Sequence, residues 1–135
     1  MSEGVKLFGE YFFLFTFGGL LYNSIELIYR LRSHWSMFIL GGICFILCGL
    51  INHIFIKKSM AFRIFLATVV TTLAEFTTGC IVNIWLKYDV WDYSDLPFNF
   101  MGQICLQFIG IWVVLVYIAM AIDIMIRRGI FHEVL

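Results

Sequence analysis

Two glutamates sit where a carboxyl group can do chemistry, Glu75 in TTLAEFTTGC and Glu26 in YNSIELIYR. Both lie inside apolar runs, and an ionisable side chain at membrane depth is costly enough that it normally faces the protein interior and serves a site or a pathway. Glu26 stands four residues before Arg30, so it reads either as half of a helical ion pair near the interface or as a member of a site. Glu75 has no cation within a helical turn on either side. It reads either as a ligand-binding carboxylate or as a buried carboxyl that organises helix packing, protonated or bonded to Thr71, Thr72 or Thr78, with Arg30 or Arg32 as a further partner. A third cluster is WDYS, residues 91–94, within the connector KYDVWDYSDLPFNF. Asp92 and Ser94 are residue types that close a turn by bonding their own backbone, and Pro97 holds Leu96 extended. The nearby Trp85, Tyr88, Trp91 and Tyr93 form either an interfacial aromatic belt or part of a shaped lid.

Other chemistries lack their residues. Cys44, Cys48, Cys80 and Cys105 all fall inside apolar runs, where cysteine packs as a small apolar residue. Two thiols a turn apart with no third ligand nearby make a poor metal site. His34 and His53 have no nucleophile at a recognisable spacing, and neither HExxH nor GxSxG occurs. No catalytic residue, metal or cofactor is therefore expected, and the chain does not read as an enzyme.

The elements that must position these carboxyls follow from composition. Hydrophobic residues make up 62% of the 135 and charged residues 13%, against about a quarter charged in soluble domains. A soluble core of this size could not hide so much apolar surface. The formal net charge of zero leaves no basic stripe for nucleic acid. Four runs, approximately 8–29, 37–56, 62–86 and 101–126, approach or exceed the roughly 20 apolar residues needed to span the bilayer. Backbone groups in lipid must bond within their own segment, so each run is a helix, and barrel strands would be shorter and alternating. The expected fold is all-α: a polytopic integral membrane protein, residues 1–135 forming one transmembrane domain, a four-helix bundle with a structured connector between its third and fourth helices.

The first run has Glu3, Lys6 and Glu10 before or at its start and no small-residue cleavage site after it, so it reads as a span and not as a cleavable signal. Lys6, Lys57, Lys58, Arg63, Arg127 and Arg128 at one set of helix ends outnumber Arg30, Arg32 and Lys87 at the other, which favours both termini inside and the connector outside. Asn23, Glu26, Arg30, Glu75, Asn83, Trp91, Asp92, Tyr93, Ser94, Asn99, Gln103 and Gln107 then gather in the outward half, with Gln103 and Gln107 on one face of the fourth helix. The candidate ligand-binding set is Glu75, Glu26, Arg30, Asn23, Trp91, Asp92, Tyr93, Ser94, Asn83 and Gln103. In the inward half Asn52 and His53, beside Lys57 and Lys58, read as a solvated helix end, and Asp123, four residues before Arg127, reads as half of a helix-face ion pair. Gly41, Cys44 and Cys48, with Gly42 and Gly49 beside them, form a packing stripe, and Gly18, Gly19 and Gly110 read alike, within the bundle or between subunits.

GGLLYNSIELIYR, HWSMFILGG, LAEFTTGCIVN and VWDYSDLPFNFMGQIC resemble the bacterial membrane family described as putative ABC-transporter type IV, or CmpB-like, over nearly the whole chain. The most specific part is WDYS with the following PFN and GQ. In that family the two glutamates and the WDYS turn recur, here Glu26, Glu75 and residues 91–94. The resemblance implies a multi-pass protein of the bacterial plasma membrane with a permease-like role. The chain has no phosphate-binding glycine loop, so an ATPase partner would be a separate subunit. Two functions of different class follow: a transport component, expected to be homo-oligomeric, that binds a small solute, ion or lipid headgroup in the outward polar pocket, or a non-catalytic structural or regulatory subunit that packs against partner helices in the membrane lipid.

Overall fold

A computed structural model of the chain describes residues 3–30 and 34–132, without the side chains of Tyr29 and Arg30. Arg32 lies outside the described residues. Helix α1 runs Glu3–Arg30, α2 Trp35–Ile54, α3 Met60–Gly79 and α4 Leu106–Gly129. All four are long and apolar enough to cross a membrane. His34 caps α2 by accepting from Ser36 N through its ring, and Ser59 caps α3 by accepting from Phe62 N. Both caps satisfy first-turn N–H groups that would otherwise be left unbonded.

The third span continues past Gly79 as a π-helical turn, Cys80–Trp85. The fourth begins five residues later than its apolar run suggests. Residues 99–105 instead form a hairpin, β1 Asn99–Phe100 pairing antiparallel with β2 Ile104–Cys105. The reason is local: Met101 and Gly102 take φ of 55° and 73°, a left-handed conformation that ends any helix, and Asn99 Oδ1 accepts from Gly102 N at 3.0 Å. Gln103 therefore sits in the hairpin and not on α4 with Gln107.

Helix α2 is the centre of the bundle, with α1, α3 and α4 all packed on it. Hydrocarbon supplies no hydrophobic drive between helices, so close backbone approach has to hold them. Gly19 and Gly42 provide it: a Cβ at Gly19 would stand 2.7 Å from Phe38 O, and one at Gly42 would stand 2.7 Å from Phe15 O. Gly110 does not share this role, because a Cβ there would meet nothing within 4 Å. The core on the other faces of α2 is Met37, Leu40, Cys44, Cys48, Ile51, Trp112, Val116 and Met120. All four cysteines are free thiols and three of them are buried.

In the inner half His53 is a solvated end and Asp123 pairs with Arg127 as expected, but the pair and Asn52 are buried. Asp123 is 2% exposed and takes both of its carboxylate bonds from Arg127 Nε, at 3.1 and 3.0 Å. The Arg127 guanidinium lies over the Tyr11 ring at 5.7 Å, and the Asp123 carboxylate fills the space left by the absent side chain of Gly49. Asn52 is likewise buried and accepts from Arg63 Nη1. An i,i+4 spacing does not tell which helix face it lies on, and here that face meets α1 and α2.

Gly42→Ala should force the α1–α2 seam apart and lower stability by roughly 1–3 kcal/mol, read as a depressed thermal midpoint in detergent. Gly110→Ala should leave that midpoint unchanged.

Candidate functional site

Glu75 stands four residues from the end of α3 and is 3% exposed. Trp112 Nε1–H, from α4, donates to Oε2 at 2.7 Å, and the Tyr93 hydroxyl, from the connector, donates to Oε1 at 3.2 Å. Two of the threonines that the sequence suggests as donors, Thr71 and Thr72, do not bond it. The Thr71 hydroxyl bonds back to Ala67 O and Thr68 O, at 2.9 and 3.1 Å. The donors come instead from two other elements, so one carboxyl ties together α3, α4 and the connector.

Aromatic rings wall this carboxyl. Tyr93 stacks on Phe108 with centroids 4.7 Å apart, and Tyr22 of α1 lies 5.7 Å from the Trp112 ring. Tyr22 is within electrostatic reach of Glu75 and Glu26 alike. Glu26 and Asn23 are half-buried on α1, and both take part in polar interactions. The Arg30 side chain, the expected partner of Glu26, lies outside the described residues.

The connector is built by Asn83. The π-helical turn carries its side chain under the loop, where Oδ1 accepts from Val90 N at 2.7 Å and Trp91 N at 3.2 Å and Nδ2 donates to Gln103 Oε1 at 2.8 Å. Trp91, 1% exposed, donates its indole N–H to Gln103 O at 3.0 Å. Tyr93 N donates to Gly102 O at 2.7 Å, which sets the Tyr93 ring over Glu75. Gly79 leaves room for this assembly, since a Cβ there would stand 2.5 Å from Gln103 Oε1 and 3.0 Å from the Trp91 ring. Lys87, Asp89, Phe98 and Met101 all take φ between 53° and 58°. Such conformations persist in non-glycine residues only where surrounding bonds over-determine them.

The site residues expected from sequence thus fall into three groups. Glu75 and Tyr93 meet directly. Asn83, Trp91 and Gln103 form the scaffold under the connector, and Asp92 and Ser94 bond each other on its exposed side, with Ser94 N donating to Asp92 Oδ1 at 2.9 Å. Trp112, Tyr22 and Phe108 complete the walls and were not expected. Trp112 carried a legible signal, because a tryptophan well inside a span is away from the interfacial belt and its indole N–H needs an acceptor when buried. Among the described residues, no group of three His, Cys, Asp or Glu side chains could hold a metal ion.

An apolar cavity of about 140 Å³ adjoins these walls. Tyr22 and Trp112 stand at its connector end, Cys48 and Ile122 at the opposite end beside Asp123, and Gly41, Cys44 and Phe45 of α2 line it between them. It lies between α1 and α4, which are bridged beyond it by Arg127 over Tyr11, while Phe131, just past the end of α4, packs against Phe13.

Asn83→Ala should leave the Val90 and Trp91 N–H groups unbonded, at roughly 1–3 kcal/mol for each such group that stays buried, and should red-shift Trp91 emission. The hydrogen bonds from the Ser94 hydroxyl and then its backbone hold the Asp92 carboxyl below its ordinary value of 3.8. A depressed folded value stabilises the turn above the ordinary value, and that stabilisation disappears as pH falls through the depressed one. Connector order, followed by the same emission, should therefore be flat near neutrality and weaken only in acid below the usual carboxylate range. Asp92→Asn should remove that acid limb.

No solved structure matches the chain. The family model described as "Putative ABC-transporter type IV" matches residues 10–133. With that match and four helices able to cross a membrane, the chain belongs to this family and is a membrane protein of transport type.

Proposed function

We propose that the protein is a small transport component of the bacterial plasma membrane, with both termini cytoplasmic, that binds a small solute, ion or lipid headgroup at Glu75 in the outer half of the bundle. The observation that carries this is a carboxyl group 3% exposed at membrane depth, walled by Tyr22, Tyr93, Phe108 and Trp112 and roofed by a connector whose conformation is over-determined. Ionisable groups in membrane spans are costly to bury and mark substrate and ion pathways. The Asp123–Arg127 pair supplies a second buried charged locus toward the cytoplasmic end, and the cavity between α1 and α4 runs from one locus toward the other. Homo-oligomerisation and a separate ATPase subunit belong to the same proposal. The family's transport description supports the ATPase, and the many apolar side chains left exposed on α1, α3 and α4 are in keeping with contact to lipid or to further helices.

A second reading is favoured by the bonds Glu75 already makes. A carboxylate that accepts from both Trp112 and Tyr93 can serve to lock α3, α4 and the connector together, in a structural subunit with no ligand. Glu75→Gln separates the two, because a glutamine amide keeps the shape and can still accept from Trp112 and meet Tyr93. A thermal-shift screen of small cations, anions and zwitterions against both proteins should find a class that stabilises the wild type by several degrees and leaves the variant unmoved. If no solute distinguishes them and the variant alone loses stability or assembly in native mass spectrometry, the site is structural.

A further inference from the structure

The cavity beside Glu75 restricts what the site takes. We infer that the ligand is a small lipophilic monocation, an alkyl- or benzylammonium whose apolar body lies between α1 and α4 and whose charge rests at the Tyr22 and Trp112 end. This inference rests on Glu75 being a binding site and adds the class of substrate.

Three observations converge on it. The first is the apolar lining. Gly18, Leu21, Ile25, Phe45, Val116 and Ala119 are among the side chains that surround about 140 Å³ and offer no hydrogen-bonding partner to a polar body. An apolar cavity of about this size stays dry and holds a benzene-sized body, and it gives a sugar-like solute no polar partner. The second is the charge at one end. Trp112 lines the cavity and its indole N–H donates to Glu75 Oε2 at 2.7 Å, while Tyr22 lines it within electrostatic reach of both Glu75 and Glu26. A carboxylate that draws on the indole N–H makes the ring face more electron-rich, and a cation over the face of a tryptophan or tyrosine is held most strongly where water is excluded. At the opposite end the Asp123 carboxylate is bonded twice by Arg127 Nε, so the two ends differ in their attraction for a cation. The third is access. Helix α1 packs chiefly on α2, and ring contacts join it to α4 at the two ends of the cavity, Tyr22 with Trp112 and Tyr11 with Arg127. The cavity is partly open and wholly apolar in its lining, so a lipophilic cation enters it from hydrocarbon where a strongly hydrated ion does not.

The test is equilibrium binding of benzyltrimethylammonium to the full chain in lipid nanodiscs, beside its uncharged isostere neopentylbenzene. The cation should bind at least tenfold more tightly. Glu75→Gln should reduce that ratio to threefold or less without changing affinity for the isostere. Tyr22→Leu, which leaves the Glu75 hydrogen bonds in place, should reduce it in the same direction and keeps the test informative if Glu75→Gln does not fold. Ala119→Phe, which fills the cavity, should abolish binding of both probes. Equal affinity for the two probes means that the cavity takes hydrocarbon alone, such as an acyl chain, and overturns the inference, as does binding of neither or a ratio that survives both Glu75→Gln and Tyr22→Leu. If another solute depends on Glu75 while benzyltrimethylammonium does not bind, the substrate class is wrong and the site stands. If no solute depends on Glu75, both fall together.

Discussion

A carboxyl group placed at membrane depth must find donors inside the protein, because hydrocarbon offers none. Glu75 finds them on two different elements, Trp112 of α4 and Tyr93 of the connector. Much of the connector end of the molecule follows from that requirement. To bring Tyr93 over α3, residues 86–105 must fold back on the bundle, and a loop folded back at this depth must have its own backbone groups bonded. Asn83, Trp91, Asn99 and Gln103 do this. The π-helical turn that ends the third span belongs to the same assembly, since it carries Asn83 beneath the loop. One extra residue per turn is tolerated because the side chain it re-aims makes three hydrogen bonds.

The bundle is held differently along its length. Near the middle of α1 and α2, glycines let backbones approach directly, as association in a solvent of equal apolarity requires. Toward the two ends, polar groups buried between helices take over: Glu75 near the connector, and Asp123 with Arg127 and Asn52 with Arg63 near the other end. Beside the packed seam an apolar cavity remains, lined by residues of α1, α2 and α4.

Span number, helical class and the depth of Glu75 were legible in the residues, because hydropathy and length are summed locally and the bilayer imposes one thickness on every run. The start of the fourth helix was not, since the apolar stretch 101–105 satisfies a hydropathy window whether it is helix or hairpin, and only the left-handed Met101 and Gly102 decide against the helix. Asp123 and Arg127 were recognisable as an ion pair, yet whether the pair faced water or α2 depended on the rotation of α4 about its axis.

The sequence by itself thus determined that this chain crosses a membrane four times, that Glu75 lies at depth, and that an aromatic, acidic turn follows its helix. It could not name the donors to that carboxyl. Trp112 is 37 residues away from Glu75 and Tyr93 is 18 away, and no periodicity links positions on separate helices. Only tertiary structure decided that these two meet Glu75, that Asn83 and Gln103 build the roof, and that a cavity lies behind Trp112. The physical reason is that hydropathy acts residue by residue, whereas a hydrogen bond at depth depends on the relative rotation and separation of elements that packing alone sets.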